Sequence, residues 1–335
     1  AQMNKLLTLP EQINELKLRA SYSEVGNSIP NSLFLASAKR NPATGAVINS
    51  GIVNFKNPKP ETTQSFEAGF DISLLDRSIS LQATYYNAVM KNQFMKYKGS
   101  GGKNVYINGG KVRNQGIELT ASYIFAPNND FSWITNLNYA YNDNKILTVA
   151  RKQNGQKYIH VDMGNLSGLK VKFEEGGSYG DLYAVGFMKD AATGEVAVRE
   201  DTGAPMKQNG VADEYLGNMN AKHTLGWSNT FNYKDFSFYF LIDGKVGGKV
   251  ISFTEAYLDQ FGTSERTADA RDYAVANNLY WTSNRGQKFP GMYIPGTSQV
   301  VPVEQYYQTI GGGSPVGRNY VYDATNFRLR EISLA

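Results

Sequence analysis

The sequence predicts an all-β fold: a partial transmembrane β-barrel of antiparallel strands, with short periplasmic turns on one side and long extracellular loops on the other. Three observations carry that expectation. Runs of alternating apolar and polar residues come in pairs joined by short turns, at 75–78, 126–130 and 234–235. Much longer polar segments separate the pairs, near 27–64, 87–110, 148–220 and 245–322. Aromatic residues crowd two of the three turns, with Phe125, Phe131 and Trp133 beside one and Phe231, Tyr233, Phe236 and Phe238 beside another. Successive side chains of a strand point to opposite faces, so such runs suit a wall between lipid and water. Strands of roughly nine to eleven residues with unequal connections mark an outer-membrane-type barrel. Rings gathered at strand ends match the aromatic girdles of its interfaces.

The elements follow in order. In Leu16–Ser23, Leu16, Leu18, Ala20 and Tyr22 share one face, and Lys17, Arg19, Ser21 and Ser23 the other. This reads as a strand with a charged inner face. The segment that follows is loop-like, carrying Pro30, Pro42, Pro58 and Pro60. The first hairpin pairs Phe66–Leu74 with Ile79–Tyr85; Phe66, Ala68, Phe70, Ile72 and Leu74 form its apolar face. A loop with Gly99-Ser100-Gly101-Gly102 leads to the second hairpin. There Ile117, Leu119, Ala121, Tyr123 and Phe125 alternate with polar residues, and the return strand begins at Phe131, with Ile134 and Thr135 breaking its pattern. Inside the connection near 148–220, Leu182–Phe187 and Glu195–Arg199 flank Ala192-Thr193-Gly194, which suggests a small hairpin. The third hairpin pairs Leu225–Tyr233 with Phe236–Ile242. The last long connection is expected to be partly helical around Glu265–Asn277, and a final strand starts near Phe327. About eight strands result.

Composition narrows the class. Of 335 residues, 22 are Tyr and 17 Phe, too aromatic for a disordered chain. A mean hydropathy of -0.41 excludes a bundle of membrane helices but not a barrel, whose strands are half polar. The formal charge of +4 is small and its Lys and Arg are scattered, so no nucleic-acid footprint is present. With no cysteine, disulfides and thiolate chemistry are excluded. The N-terminus lacks the charged and apolar regions of a signal peptide, which suggests an internal piece.

Catalytic patterns are weak. His160 and His223 have no ligand-spaced partner, so no metal site is expected. The run Ile310–Gly317 lacks the Gly-Lys-Ser/Thr ending of a phosphate loop and reads as a flexible loop. Glu174-Glu175 and Glu200-Asp201 read as solvated loop acids rather than paired glycosidase carboxylates. The better binding candidates are Tyr257, Tyr280, Trp281, Asn284, Arg285 and Tyr293. Flat rings stack on sugar faces, while Asn and Arg bond hydroxyls or peptide groups. For any single one, packing within the loop or against a partner is the competing role.

Several stretches resemble the SusC/RagA family of TonB-dependent outer-membrane transporters of Bacteroidetes. They are Leu16–Asn27, Asn57–Asp71, Asn114–Leu119, Asn229 through Gly248, and Ala324–Leu334, in family order along nearly the whole chain. Gly217–His223 departs from the family's more Pro-rich pattern. The resemblance implies that residues 1–335 are the C-terminal portion of a 22-stranded barrel. The family's signal peptide and plug domain are not in this chain. It implies active import of glycan or peptide oligomers across the cell outer membrane. It further implies a SusD-like surface lipoprotein partner, contact with the TonB complex through the missing N-terminal region, and a lipid-embedded wall. No cofactor and no enzymatic activity are expected. Two other functions fit the same residues: a soluble glycan-binding β module, and a siderophore-type receptor of the same barrel class.

Overall fold

The computed structural model describes residues 9–28, 39–45, 47–48, 52–53, 58–98, 104–149, 169–208 and 214–335. One 8-stranded sheet dominates. Its strands are β1 (Ile13–Asn27), β2 (Glu61–Leu74), β3 (Ile79–Lys91), β4 (Gly110–Asn128), β5 (Phe131–Val149), β6 (His223–Tyr233), β7 (Phe236–Val246) and β8 (Asn326–Leu334). Each pairs antiparallel with its neighbours in chain order, which leaves β1 and β8 as open edges. The architecture is that of a barrel wall that does not close on itself. Edges of this kind carry unpaired backbone groups that lipid cannot satisfy.

The short turns lie at one end. Leu75, Asp76 and Arg77 all adopt positive φ, and the Arg77 N–H donates to Asn14 Oδ1 at 3.0 Å. The second turn is tighter than its sequence suggests, because β4 continues to Asn128, whose Oδ1 accepts the N–H groups of Asp130 and Phe131. Lys234, with φ 53°, makes the third.

Register divides the wall into two faces. Leu18, Phe70, Ala83, Leu119, Tyr139 and Leu225 fall on one rung of the apolar face. Phe66, Phe70, Leu81 and Phe238 share that face. It is left open: Phe66, Ile117, Leu137, Trp227 and Phe236 are all exposed. These side chains do not meet in a closed two-sheet core, the packing that a soluble β module would call for. Phe and Trp dominate near the turns, where Trp133 stacks on Phe231 at 5.9 Å. Toward the loops the rings become Tyr22, Tyr85 and Tyr141. Hydroxyl-bearing rings suit the lipid–water boundary.

The opposite face is polar. Arg19 lies 2.8 Å and Lys17 3.6 Å from the Asp71 carboxylate. At the other edge a bulge in β8 inserts Arg330 between the residues paired with Leu241 and Ile242. The extra residue re-aims the strand, so Arg328 and Arg330 both reach Asp243, at 2.9 Å each. The break at Ile134 and Thr135 also resolves: Ile134 opposes Ile124 on this inner face. Thr135 lies on the apolar face and accepts the Trp227 indole N–H at 2.9 Å.

The small hairpin differs from expectation. Its turn is at Asp190–Gly194, but its arms are Phe187–Lys189 and Val196–Val198. Asp181–Ala184 instead pairs with Leu169–Val171 and Glu214–Asn218. Leu182 and Ala184 are thereby buried in a second core, a better use of those side chains than an exposed hairpin. The expected helix is present as α2, Glu265–Ala276, between α1, Phe253–Gln260, and α3, Val303–Ile310.

Candidate functional site

β4 and β5 each run 19 residues, against 11 for β6. At ~3.3 Å per residue and a ~40° tilt, such strands rise well beyond a ~25 Å apolar band. Above His223, β5 therefore has no β6 beside it. The two long connections fill that place. The Asn142 N–H donates to Lys222 O, the Ile146 N–H to Gly177 O, and the Gly176 N–H to Ile146 O, all within 2.9 Å. Asn144 Oδ1 accepts the Tyr179 N–H at 2.7 Å and the Ser178 hydroxyl at 3.3 Å. Phe173 packs against Val112, Ile146 and Val149, fixing the connection to the inner side of the rim.

The connections fold together into a cap with a core of its own. Val196 from the first is buried with Ala256, Ala274, Ile294, Val301, Tyr306 and Tyr320 from the second. Gln299 stitches the two: its Oε1 accepts the Val196 N–H at 3.1 Å and its Nε2 donates to Val196 O at 2.9 Å. Lys207 donates to the carbonyls of Thr309 and Ser314 at 3.3 and 2.7 Å, at the end of α3. Burial holds its ammonium below the usual lysine range. The buried Asp259 carboxylate takes bonds from Arg266, Ser264 and the Tyr320 hydroxyl. Burial alone would disfavour the Arg266 charge, but the bond to Asp259 outweighs it and holds the guanidinium above its usual value. Burial, then the bond to Asp259, raises the Tyr320 phenol, and burial pushes Tyr306 up to about 12.

The glycine run is not a free loop. Gly311 and Gly312 are buried, with the Gly312 N–H donating to Ala256 O at 2.8 Å. A Cβ on Gly311 would lie 2.5 Å from Ala256 O, so the glycines let the α3 end close onto α1.

Between the rim of β5 and the cap lies a cavity of about 760 Å³, lined by Asn114, Asn142, Asn144, Asn218, Asn220 and Tyr179 and by the charged Asp143, Lys145, Asp181 and Lys222, among others. Many of the amides are already partnered: Asn218 Nδ2 donates to Asp181 at 2.8 Å, and Asn142 accepts the Tyr86 hydroxyl at 2.9 Å. Tyr215 donates to Asp181 at 3.3 Å. The lining can offer amide and hydroxyl groups to a neutral polar solute. Among the described residues no group of three metal-binding side chains occurs.

Of the sequence candidates, Tyr280, Trp281, Asn284, Arg285 and Tyr293 sit on one hairpin, in which Tyr280–Thr282 pairs with Lys288–Tyr293. Asn284 and Arg285 form its exposed turn. Trp281 packs on Phe289 at 6.0 Å and against Gly203, tying the hairpin to the first connection. Tyr257 stands apart on α1, its hydroxyl beside Gly313. The rim asparagines were missed; their signal was the polar run Tyr141-Asn142-Asp143-Asn144, read as the plain end of a strand. His223 accepts or donates in a 2.8 Å bond with the Tyr139 hydroxyl, and His160 lies outside the described residues.

Comparison with known proteins places the chain. Residues 12–200, more than half of it, match the family described as TonB dependent receptor-like, beta-barrel. TonB-dependent receptor P3 of Formosa agariphila is 25% identical over 284 residues, covering 77% of this chain and 28% of that protein. TonB-dependent receptor P26 of the same organism is 24% identical over 352 residues, 97% of this chain and 33% of that protein. Among solved structures, the RagAB peptide transporter superposes with a TM-score of 0.69 over 99% of this chain and 35% of that one, at 16% identity. The chain spans about a third of the length of these relatives. It belongs to the TonB-dependent receptor β-barrel family.

Proposed function

We propose that this chain is the C-terminal part of the wall, with the outward cap, of an outer-membrane importer driven by TonB. The whole protein would close a 22-stranded barrel around a plug, and a SusD-like surface lipoprotein would dock on the cap side. The observation that carries this reading is the cap stitched onto the tall rim of β4 and β5. A cap bonded to the loop end of a polar-lined wall suits capture and hand-over of a solute, and needs no covalent step. The family is one of receptors and transporters rather than enzymes.

The five asparagines of the cavity lining suit peptide or glycan oligomers, whose amides and hydroxyls they can bond. The fold shared with a peptide transporter leans the choice toward peptides. The exposed turn residues Asn284 and Arg285, with Tyr280, Trp281 and Tyr293 on the same hairpin and Tyr257 apart on α1, supply candidate contacts to substrate or lipoprotein. The test is growth of a strain lacking the full-length gene on oligopeptides, on glycans, or under iron limitation. A defect on oligopeptides or glycans supports the reading, and a defect under iron limitation alone overturns it.

A further inference from the structure

The apolar face of the wall ends in a rung that lipid tails cannot accommodate. Glu24, Gln64, Val89, Arg113 and Lys145 lie side by side across five strands. The next rung toward the turns carries Tyr22, Phe66, Asn87, Gln115 and Asp143, and the one after it Tyr85, Ile117 and Tyr141. Arg113 is four residues beyond Ile117. That is about 13 Å along the strand and about 10 Å in height at ordinary barrel tilt, the level of lipid headgroups.

Arg113 and Lys145 oppose one another directly. Like charges so placed across a sheet repel, and a pair at this spacing is destabilising unless an anion bridges it. Neither has an acidic partner among the described residues. The acids on these two rungs are committed elsewhere: Asp143 to Lys222 at 2.7 Å, and Glu24 to the Gln64 amide at 3.1 Å. Arg113 Nε is shielded from solvent with no bonding partner. Lys91, two residues beyond the Val89 that pairs with Arg113, turns its ammonium the other way, to Gln64 at 2.5 Å.

We propose that Arg113 and Lys145 form a binding site for the phosphate of an outer-leaflet lipid headgroup. Two cations on adjacent strands, set above the apolar wall, match a phosphomonoester whose acyl chains lie along Ile117 and Leu119. The assignment rests on the reading of the apolar face as membrane-embedded.

The test uses the full-length protein purified in detergent, with bisphosphorylated lipid A as probe and binding read by native mass spectrometry. Arg113→Gln/Lys145→Gln is expected to weaken binding at least about tenfold, while dephosphorylated lipid A binds wild type and variant alike. Inorganic phosphate at equal concentration is expected not to compete. Lys145→Glu, which sets opposite charges across the rung, should raise thermal stability and still lose lipid A. Equal lipid A affinity in all three proteins would overturn the site, as would displacement by inorganic phosphate alone. Quenching of Trp133 and Trp227 by brominated lipid in reconstituted wild type and variants separates the two layers. Quenching in every protein with unchanged lipid A affinity sinks only the phosphate site. Absence of quenching sinks the membrane reading beneath it.

Discussion

The Trp133 indole N–H donates to Asn229 Oδ1 at 2.9 Å, on the face of the wall that carries the exposed aromatics. Asn229 is 1% exposed, roofed by Trp133 and its flanking rings. A buried amide in an apolar setting depends on that single bond, and removing one partner leaves the other unsatisfied. Trp133→Phe in the full-length barrel is expected to lower stability by about 1–3 kcal/mol. Pairing it with Asn229→Leu should recover most of the loss. Urea unfolding in bilayers checks this; additive losses in the double variant would contradict it.

Gly116 pairs with Tyr86 of β3 and Asn142 of β5. A Cβ there would lie 2.0 Å from Tyr141 O and 2.6 Å from the Tyr86 hydroxyl oxygen. Gly116→Ala is therefore expected to cost about 1–3 kcal/mol by overpacking. Because Tyr141 O is backbone, Tyr86→Ala should not rescue it. Recovery in that double variant would show that only the Tyr86 ring was in the way.

The cap should behave as one unit. Gln299→Leu breaks both bonds to Val196, and Lys207→Met frees the carbonyls of Thr309 and Ser314. Either change is expected to raise hydrogen exchange in both long connections together, with the wall strands unaffected. Faster exchange confined to the substituted segment would contradict the shared core.

Alkaline pH should loosen the cap before the wall. Tyr183 is pushed up to about 12 by burial and then by Glu174, and Tyr306 up to about 12 by burial. In the unfolded chain these phenols titrate near about 10. The folded state holds the proton more tightly, so their contribution is complete below about pH 10 and is lost as pH rises through about 12. Phenolate absorbance should show a delayed class of tyrosines whose ionisation coincides with increased exchange in 169–208. Ionisation of every tyrosine near pH 10 with the cap intact would contradict it.

Legibility differed between wall and cap. Period-2 alternation and paired turns made all three wall hairpins readable, because each strand has one apolar and one polar medium to answer to. Lys17 and Arg19 were visible as inner-face charges, but Asp71 as their shared partner required the register. The cap obeys no such period. Its core joins Val196 to Tyr320 across more than a hundred residues, and Leu182, which alternates like a hairpin arm, is claimed by a different sheet. The glycines at 311–312 read as freedom in sequence, whereas they serve close packing. The rim asparagines looked like strand polarity, since nothing local says that β6 ends at His223 while β5 continues to Val149.

In the orientation proposed above, the cap faces outward and the short turns face inward, on either side of an apolar wall. The chain has no cysteine, so single replacements report cleanly on its own positions. Arg285→Cys in the cap and Asp235→Cys in the third turn, each in the full-length protein in living cells, would be treated with a membrane-impermeant maleimide. The expected result is labelling at 285 in intact cells, and at 235 only after the outer membrane is permeabilised. Labelling at 235 in intact cells, with 285 protected until permeabilisation, would invert this orientation.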